Sequence, residues 1–351
     1  MPFDHNWTDT CLTGEATITE AIKVIEASDS KVCLVVAESN NSFELRGTIT
    51  DGDIRRAILS GVNITDDCSQ IMNDSPFKAC AESSIADLEG LLVKHQYRHL
   101  PIVSNKGCLA GIYYSELNLT TNTEKSLFVI MAGGFGTRLK PYTDKIPKPM
   151  VEVRGKPMIQ HIIERAKSAG FYHFALILHH LPEIIKDYFG DGSDFGVSIE
   201  YVEEKSPLGT VGGLSLLDLT DRHYSSILVT NGDLVSQADY RDLVQYHLKQ
   251  SAFATMSVRQ HRMVNEFGTV NISGNAITGF SEKPVTVSNI NAGIYVLSID
   301  ALSILEYGKR KDMPDLFLDA VALGHRVLAH YLYEEWSDVG REGDLNRVNG
   351  K

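Results

Sequence analysis

The sequence predicts an α/β protein in two parts, and three observations lead there. The chain has 351 residues, enough for two or three domains at about 100–200 residues each. A polar stretch, Asn118-Leu-Thr-Thr-Asn-Thr-Glu-Lys-Ser126, favours a loop over core and divides the chain. On both sides of it, short apolar strands alternate with amphipathic helices, and strands run into turns holding glycine and aspartate. The expected boundaries are a first unit over 1–120, a linker over 121–126 and a second unit over 127–351.

Composition limits the function classes. Hydrophobic residues make up 43% and charged residues 22%, ordinary for a globular protein. No apolar run reaches the roughly 18 residues a spanning helix needs, so no membrane partner is expected. Met1–Thr10 lacks a basic region followed by an apolar core, so no secretory signal is expected. A net charge of −12 argues against a nucleic-acid binder. Most of it lies early: residues 1–124 hold 9 Lys/Arg against 18 Asp/Glu. The cysteines, Cys11, Cys33, Cys68, Cys80 and Cys108, are odd in number, lack CxxC spacing and all precede residue 124. They read as small buried hydrophobes, which fits a reducing, cytoplasmic compartment.

The first unit contains a weak internal repeat. One copy, over 8–60, has a helix near Thr19–Ala27 and strands Val32–Val36 and Leu45–Thr50. It ends in Asp51-Gly-Asp53-Ile-Arg-Arg56, which opens a helix. The other, over 64–118, has a helix Ile85–His95 and strands His99–Val103 and Leu109–Tyr113. Units of about 55 residues are small for independent stability, so the copies are expected to share one core. These features resemble a pair of CBS domains. Gly47-Thr-Ile-Thr50-Asp-Gly-Asp53 matches that family's ligand motif, and the resemblance implies that Thr50 and Asp53 hold the ribose of an adenine nucleotide. A carboxylate can accept from both ribose hydroxyls. Thr50 as a turn residue with Asp53 as a helix N-cap remains the alternative. In the second copy Tyr114 and Leu117 stand where Thr50 and Asp53 do, so at most one good nucleotide site is expected.

In the second unit the apolar strand Leu127-Phe-Val-Ile-Met-Ala132 runs into Gly133-Gly-Phe-Gly-Thr-Arg-Leu-Lys-Pro-Tyr-Thr143. Glycines after a buried strand let backbone N–H groups approach a ligand. Arg138 places a permanently charged fork beside them, suited to polyphosphate oxygens. Leu139 fills the third glycine position of a dinucleotide fingerprint, and no Gly-Lys-Ser/Thr closes a Walker loop. Pro147-Lys-Pro-Met150 then holds Lys148 in a rigid segment, and a helix begins near Pro157 and ends at Gly170. Further on, strand Ser226–Thr230 ends in Asn231-Gly-Asp233, placing a carboxylate where open α/β sheets bind ligands. The histidines show no zinc-binding spacing, and His179-His180 reads as a strand end.

The unit resembles the sugar-1-phosphate nucleotidyltransferase family. The motifs are Gly133–Leu139, Pro141 with Thr143, and Pro147–Pro149, and the similarity runs along 126–350. The resemblance implies a mixed, mostly parallel Rossmann-like (GT-A-like) sheet behind the CBS pair. It places the nucleotide against Ala132, Gly133, Gly134, Gly136, Thr137, Gly209 and Thr210, the last two in a segment where Val211 replaces the usual alanine. It makes Arg138 and Lys148 the catalytic cations. It assigns Mg²⁺ to Asp233 and to Asp338 in Trp336–Gly340, and the sugar phosphate to Gly268, Glu282, Lys283 and Asn291. Two carboxylates plus substrate phosphates are an ordinary Mg²⁺ site.

The implied reaction joins an NTP and a sugar-1-phosphate to give an NDP-sugar and pyrophosphate. CBS-linked transferases of this appearance resemble guanylyltransferases of nonulosonic (legionaminic-type) acid biosynthesis, implying GTP and a glucosamine- or N-acetylglucosamine-type 1-phosphate. Mannose or glucose phosphates with GTP, UTP, CTP or dTTP stay open. So does an inactive, nucleotide-sensing CBS protein, although retention of Arg138, Lys148, Asp233, Lys283 and Asp338 argues against it. CBS pairs commonly associate face to face, so a homo-oligomer is expected.

Overall fold

A computed structural model describes residues 7–28, 30–39, 42–95, 97–114, 123, 125–220 and 224–350. Contacts divide the chain into two compact units, Met1–Thr120 and Thr121–Lys351.

The first unit holds two similar three-stranded sheets. β1 (Cys11–Leu12), α1 (Ile18–Ala27), β2 (Val32–Ser39), β3 (Ser42–Thr50) and α2 (Asp51–Leu59) form one copy. β4 (Ala79–Cys80), α3 (Ile85–His95), β5 (His99–Val103) and β6 (Leu109–Tyr114) form the other. In each, a short first strand pairs parallel and a hairpin pairs antiparallel. The copies share a core, because Leu109 and Ile112 of the second pack with Val32, Leu34, Val36 and Leu45 of the first. Helix α1 starts where Thr17 and Glu20 make a capping box, commonly worth about 1 kcal/mol. At α2 the N-cap is Thr50 and Asp53 stands at N3, one turn further in than a cap. The five cysteines carry free thiols; Cys33 and Cys68 are buried, and burial pushes the Cys11 thiol up to about 12.

The second unit is built on one seven-stranded sheet. Its elements are β7 (Ser126–Met131), β8 (Glu152–Val153), β9 (Lys156–Pro157), α4 (Met158–Ser168), β10 (His173–Leu178), α5 (Pro182–Phe189) and β11 (Ser198–Glu203). Then come β12 (Ser226–Asn231), β13 (Leu234–Ser236), α6 (Tyr240–Lys249), β14 (Ala254–Val264), β15 (Thr269–Ser273) and β16 (Ala276–Ser281). β17 (Val285–Ser298), α7 (Met313–Ala322), β18 (Val327–Tyr331), β19 (Trp336–Asp338) and α8 (Glu342–Val348) complete it. The order is β11-β10-β7-β12-β17-β14-β18, and β17 alone runs antiparallel to its neighbours. The sheet is thus mixed and mostly parallel, covered on both faces, as a parallel sheet requires. Phe128 and Ile130 of β7 enter the core under α4 and α6, while Leu127 and Val129 enter the opposite core with α7. That period-2 division explains why β7 reads as a continuous apolar run.

The four parallel strands β11, β10, β7 and β12 end on one edge. They deliver Glu204, His179-His180, the glycine loop and Gly232-Asp233 there, the edge at which open α/β sheets bind ligands.

Candidate active site

The glycine loop is fixed by close packing. Ala132 donates its N–H to the Ile177 carbonyl at 2.9 Å, continuing the ladder past β7. Gly136 lies at φ +64°, and a Cβ there would stand 2.8 Å from Lys148 Cβ. The Thr143 hydroxyl closes the loop by donating to the Gly136 carbonyl at 2.8 Å. Thr137 and Arg138 follow in a short 3₁₀ turn, Thr137–Leu139, anchored by the buried Leu139. The loop therefore lies directly over the Lys148 segment, itself a turn begun at Pro147.

Lys148 meets the two aspartates. Its ammonium pairs with Asp233 and lies 3.9 Å from Asp338 Oδ1. The aspartates, distant in sequence, are brought together by antiparallel pairing of β13 with β19, where Leu234 stands opposite Asp338. The Val339 N–H donates to the Asp233 carbonyl, extending that ladder. Partial burial and the neighbouring Asp233 charge push the Asp338 carboxyl up, opposed by Lys148 and Arg138. Crowded carboxylates beside cations are a common mark of a working site. The cluster offers hard oxygen donors whose repulsion a cation relieves, and Lys148 already fills that role. The residues fit a divalent ion held by Asp233 and Asp338 and completed by substrate oxygens. Among the described residues no group of three or more His, Cys, Asp or Glu side chains forms a self-sufficient cage.

A second group of side chains lies at the ends of β10 and β11. Glu204 is 7% exposed and its Oε1 has no hydrogen-bond partner, a costly state for a carboxylate. Burial pushes its carboxyl up, against a hydrogen bond from Leu208 and the neighbouring His179. A Cβ at Gly133 would lie 3.1 Å from Glu204 Oε2, and one at Gly213 2.6 Å from its Oε1, so glycines flank this carboxylate on both sides. Phe135 of the loop packs edge-on to His179, centroids 5.4 Å apart, and against His180. His179 is held by the Glu204 carbonyl at 2.8 Å. Glu204 escaped the sequence reading because one glutamate after a strand carries no signal; only its burial does.

Gly209 and Thr210 pack against the segment that leads into α7. Gly209 lies at φ +82° with space for no side chain, since a Cβ would stand 2.5 Å from the Lys311 carbonyl. The Thr210 hydroxyl accepts from the Met313 N–H at 2.6 Å, and its own N–H donates to Asp312. Thr210 thus fixes the start of α7, and ligand contact would come from backbone. Asn291 accepts from the Gly293 N–H and donates to the Tyr295 hydroxyl. Gly293 packs against Asn231, joining Asn291 to the Asp233 turn. Glu282 and Lys283 are exposed on the ribbon that leaves the sheet through β14 and β17. There Gly268 packs on the Glu282 carboxylate, and Lys283 holds a left-handed φ of +41°.

A parallel α/β edge with a glycine loop, two cations and two carboxylates defines a protein built to handle nucleotide phosphates. The family model for nucleotidyl transferase matches residues 127–351, and the chain belongs to that family. The CBS domain model matches residues 8–60 and 68–115. The mannose-1-phosphate guanylyltransferase of Mycobacterium tuberculosis is 33% identical over 228 residues, 62% of each chain. The mannose-1-phosphate guanyltransferase of Schizosaccharomyces pombe is 34% identical over 226 residues, 62% of this chain and 61% of its own. The chain therefore spans about three fifths of these relatives' length. The solved structure of HddC from Yersinia pseudotuberculosis, complexed with GMP-PN, superposes with a TM-score of 0.51 at 25% identity, covering 64% of this chain and 98% of that one. No described helix is long and apolar enough to cross a membrane.

Proposed function

We propose that the second unit joins a nucleoside triphosphate, GTP by preference, to a sugar-1-phosphate, releasing pyrophosphate. The observation that carries this is the convergence of Lys148, Arg138, Asp233 and Asp338 beside the glycine loop. A phosphate oxygen of the sugar-1-phosphate attacks the α-phosphorus in line, and pyrophosphate leaves. The attacking group is an anion at neutral pH, so no protein nucleophile or strong base is needed, and positioning and charge neutralisation remain. Arg138 holds the leaving pyrophosphate and Lys148 the reacting phosphates. Asp233 and Asp338 would hold Mg²⁺, which when bound would neutralise phosphate charge. Backbone of Ala132–Thr137 and Gly209–Thr210 seats the nucleotide. Asn291 orients the sugar, and Glu282 and Lys283 on the ribbon take its hydroxyls and phosphate.

Glu204 supports GTP. An ionised carboxylate only accepts hydrogen bonds, and guanine offers two adjacent donors, N1–H and the N2 amine. Uracil and thymine present carbonyl oxygens on either side of one N–H, which a carboxylate repels. The named relatives favour mannose-1-phosphate, and the CBS-linked arrangement favours a glucosamine- or N-acetylglucosamine-type 1-phosphate. A matrix of GTP, UTP, CTP and dTTP against these sugar phosphates, read by pyrophosphate release, decides both. For the chemistry, Asp233→Asn and Arg138→Ala are each expected to lower the rate about 10²–10³-fold. Near-wild-type rates in both would remove the mechanism.

A further inference from the structure

The hairpin β15–β16 is, like β8–β9 and β13–β19, a small sheet apart from the central one, but its apolar side chains are exposed. It stands at the end of a ribbon in which β14 and β17 pair from Arg259 to Val264 and Val285 to Ile290, beyond the reach of β12 and β18. Its residues 269–281 include no charged side chain, in a chain where 22% are charged. β15 alternates Val270-Asn-Ile272-Ser, the pattern of a strand with one buried face. Yet the cross-strand pairs Val270 with Phe280 and Ile272 with Ile277 are open to water, at 44%, 75%, 64% and 61% exposure. Isolated two-stranded hairpins are marginal in water, and uncharged apolar strands are association-prone.

We propose that this hairpin is an interface between two copies of the chain. Three features select a second copy over other occupants. The face carries no charge, so it meets itself across a two-fold axis without like-charge repulsion, the self-complementarity an isologous contact needs. An acidic or basic partner would find nothing to pair with on it. The area is of the right order: Val264 and Val285, paired across the ribbon, and Val287 two residues on continue an exposed apolar stripe. With the hairpin's four that makes seven side chains at roughly 100 Å² each, approaching the 800 Å² per partner typical of stable interfaces.

The test is the mass of the full chain in solution by light scattering and sedimentation across a hundredfold concentration range. Wild type is expected to run at twice the chain mass at the upper end. Ile272→Ser combined with Ile277→Ser is expected to run as one chain throughout, with unchanged circular dichroism and a cooperative thermal transition whose midpoint no longer rises with concentration. Backbone hydrogen exchange of residues 269–281 in unaltered protein is the second measurement, with protection expected to rise with concentration. A wild-type monomer at every concentration, including one in which the first unit covers the hairpin, overturns the proposal. So does a folded double variant that stays dimeric, or exchange independent of concentration. None of these readouts depends on catalysis.

Discussion

Glu204 holds a carboxylate between two glycines with one oxygen unsatisfied. Because its carboxyl is pushed up in the fold, ionisation is harder in the folded than in the unfolded chain. Stability therefore falls as pH rises through the ordinary carboxylate range and stays lower above it. A group that weakens the free protein earns its place by what it binds. Glu204→Gln is expected to leave the free protein equally or more stable at pH 7 by urea unfolding. It is also expected to lower kcat/KM for GTP about 10–100-fold relative to UTP, the cost of a misplaced donor–acceptor pair. Loss of stability with unchanged base preference would sink the assignment. His247 titrates in the opposite sense. It is 2% exposed on α6, bonded to the Thr255 hydroxyl at 2.9 Å, and burial lowers it from 6.5 to about 4. The unfolded chain takes up the proton first, so the stabilisation is complete above pH 6.5 and lost as pH falls toward 4. The loss is roughly 3 kcal/mol. His247→Gln is expected to flatten urea-unfolding stability between pH 7 and 4.5 by about that amount; an unchanged slope would place the acid sensitivity elsewhere.

At the scale of elements, glycines separate packing from ligand approach. Gly213→Ala puts a methyl 2.5 Å from Ile177 Cγ2, so thermal unfolding is expected to show a loss of about 1–3 kcal/mol. A Cβ at Gly134 meets nothing within 4 Å, and its φ is not left-handed. Gly134→Ala is therefore expected to leave stability within about 0.5 kcal/mol and to raise KM for the triphosphate, the space it fills being the ligand's. Unchanged KM would show that the nucleotide does not touch this turn. The same contrast explains what the sequence revealed. β7, β12 and α3 were legible because burial stamps an unbroken apolar run or a helical period on consecutive residues. The glycine loop, Lys148 and Asp233 were legible because each lies on a short motif. Asp338 needed the family resemblance, since only the β13–β19 ladder brings it to Asp233. The antiparallel insertion of β17 was not legible, because strand order is a long-range property. Nor was Glu204, whose role lies in its surroundings.

For the whole molecule, the nucleotide site proposed for the first unit turns on Asp53. The Asp53 carboxylate already accepts from the Thr50 N–H at 2.8 Å and hydroxyl at 2.6 Å, and from Arg56 at 2.6 Å. A ribose would compete for these lone pairs. The Arg56 side chain is 71% exposed, so its bond is the cheap one to release. The cap to Thr50 can stay, because each carboxylate oxygen accepts more than one hydrogen bond. In the other copy Tyr114 takes the position of Thr50, and Leu117, opposite Asp53 in the repeat, lies outside the described residues. Calorimetry with AMP or ATP is expected to give one equivalent per chain, and thermal stabilisation of about 2.7 kcal/mol at a hundredfold excess over Kd. Asp53→Ala is expected to abolish binding and to cost about 1 kcal/mol of helix capping even without nucleotide. Arg56→Ala is expected to retain it, which separates ribose recognition from simple loss of charge. Two equivalents per chain, or full binding by Asp53→Ala, would move the site away from this motif. Where the nucleotide does bind, any change it makes in affinity for GTP must be matched by an equal change that GTP makes in affinity for it. Titrating each ligand in the presence of the other therefore measures one coupling energy twice.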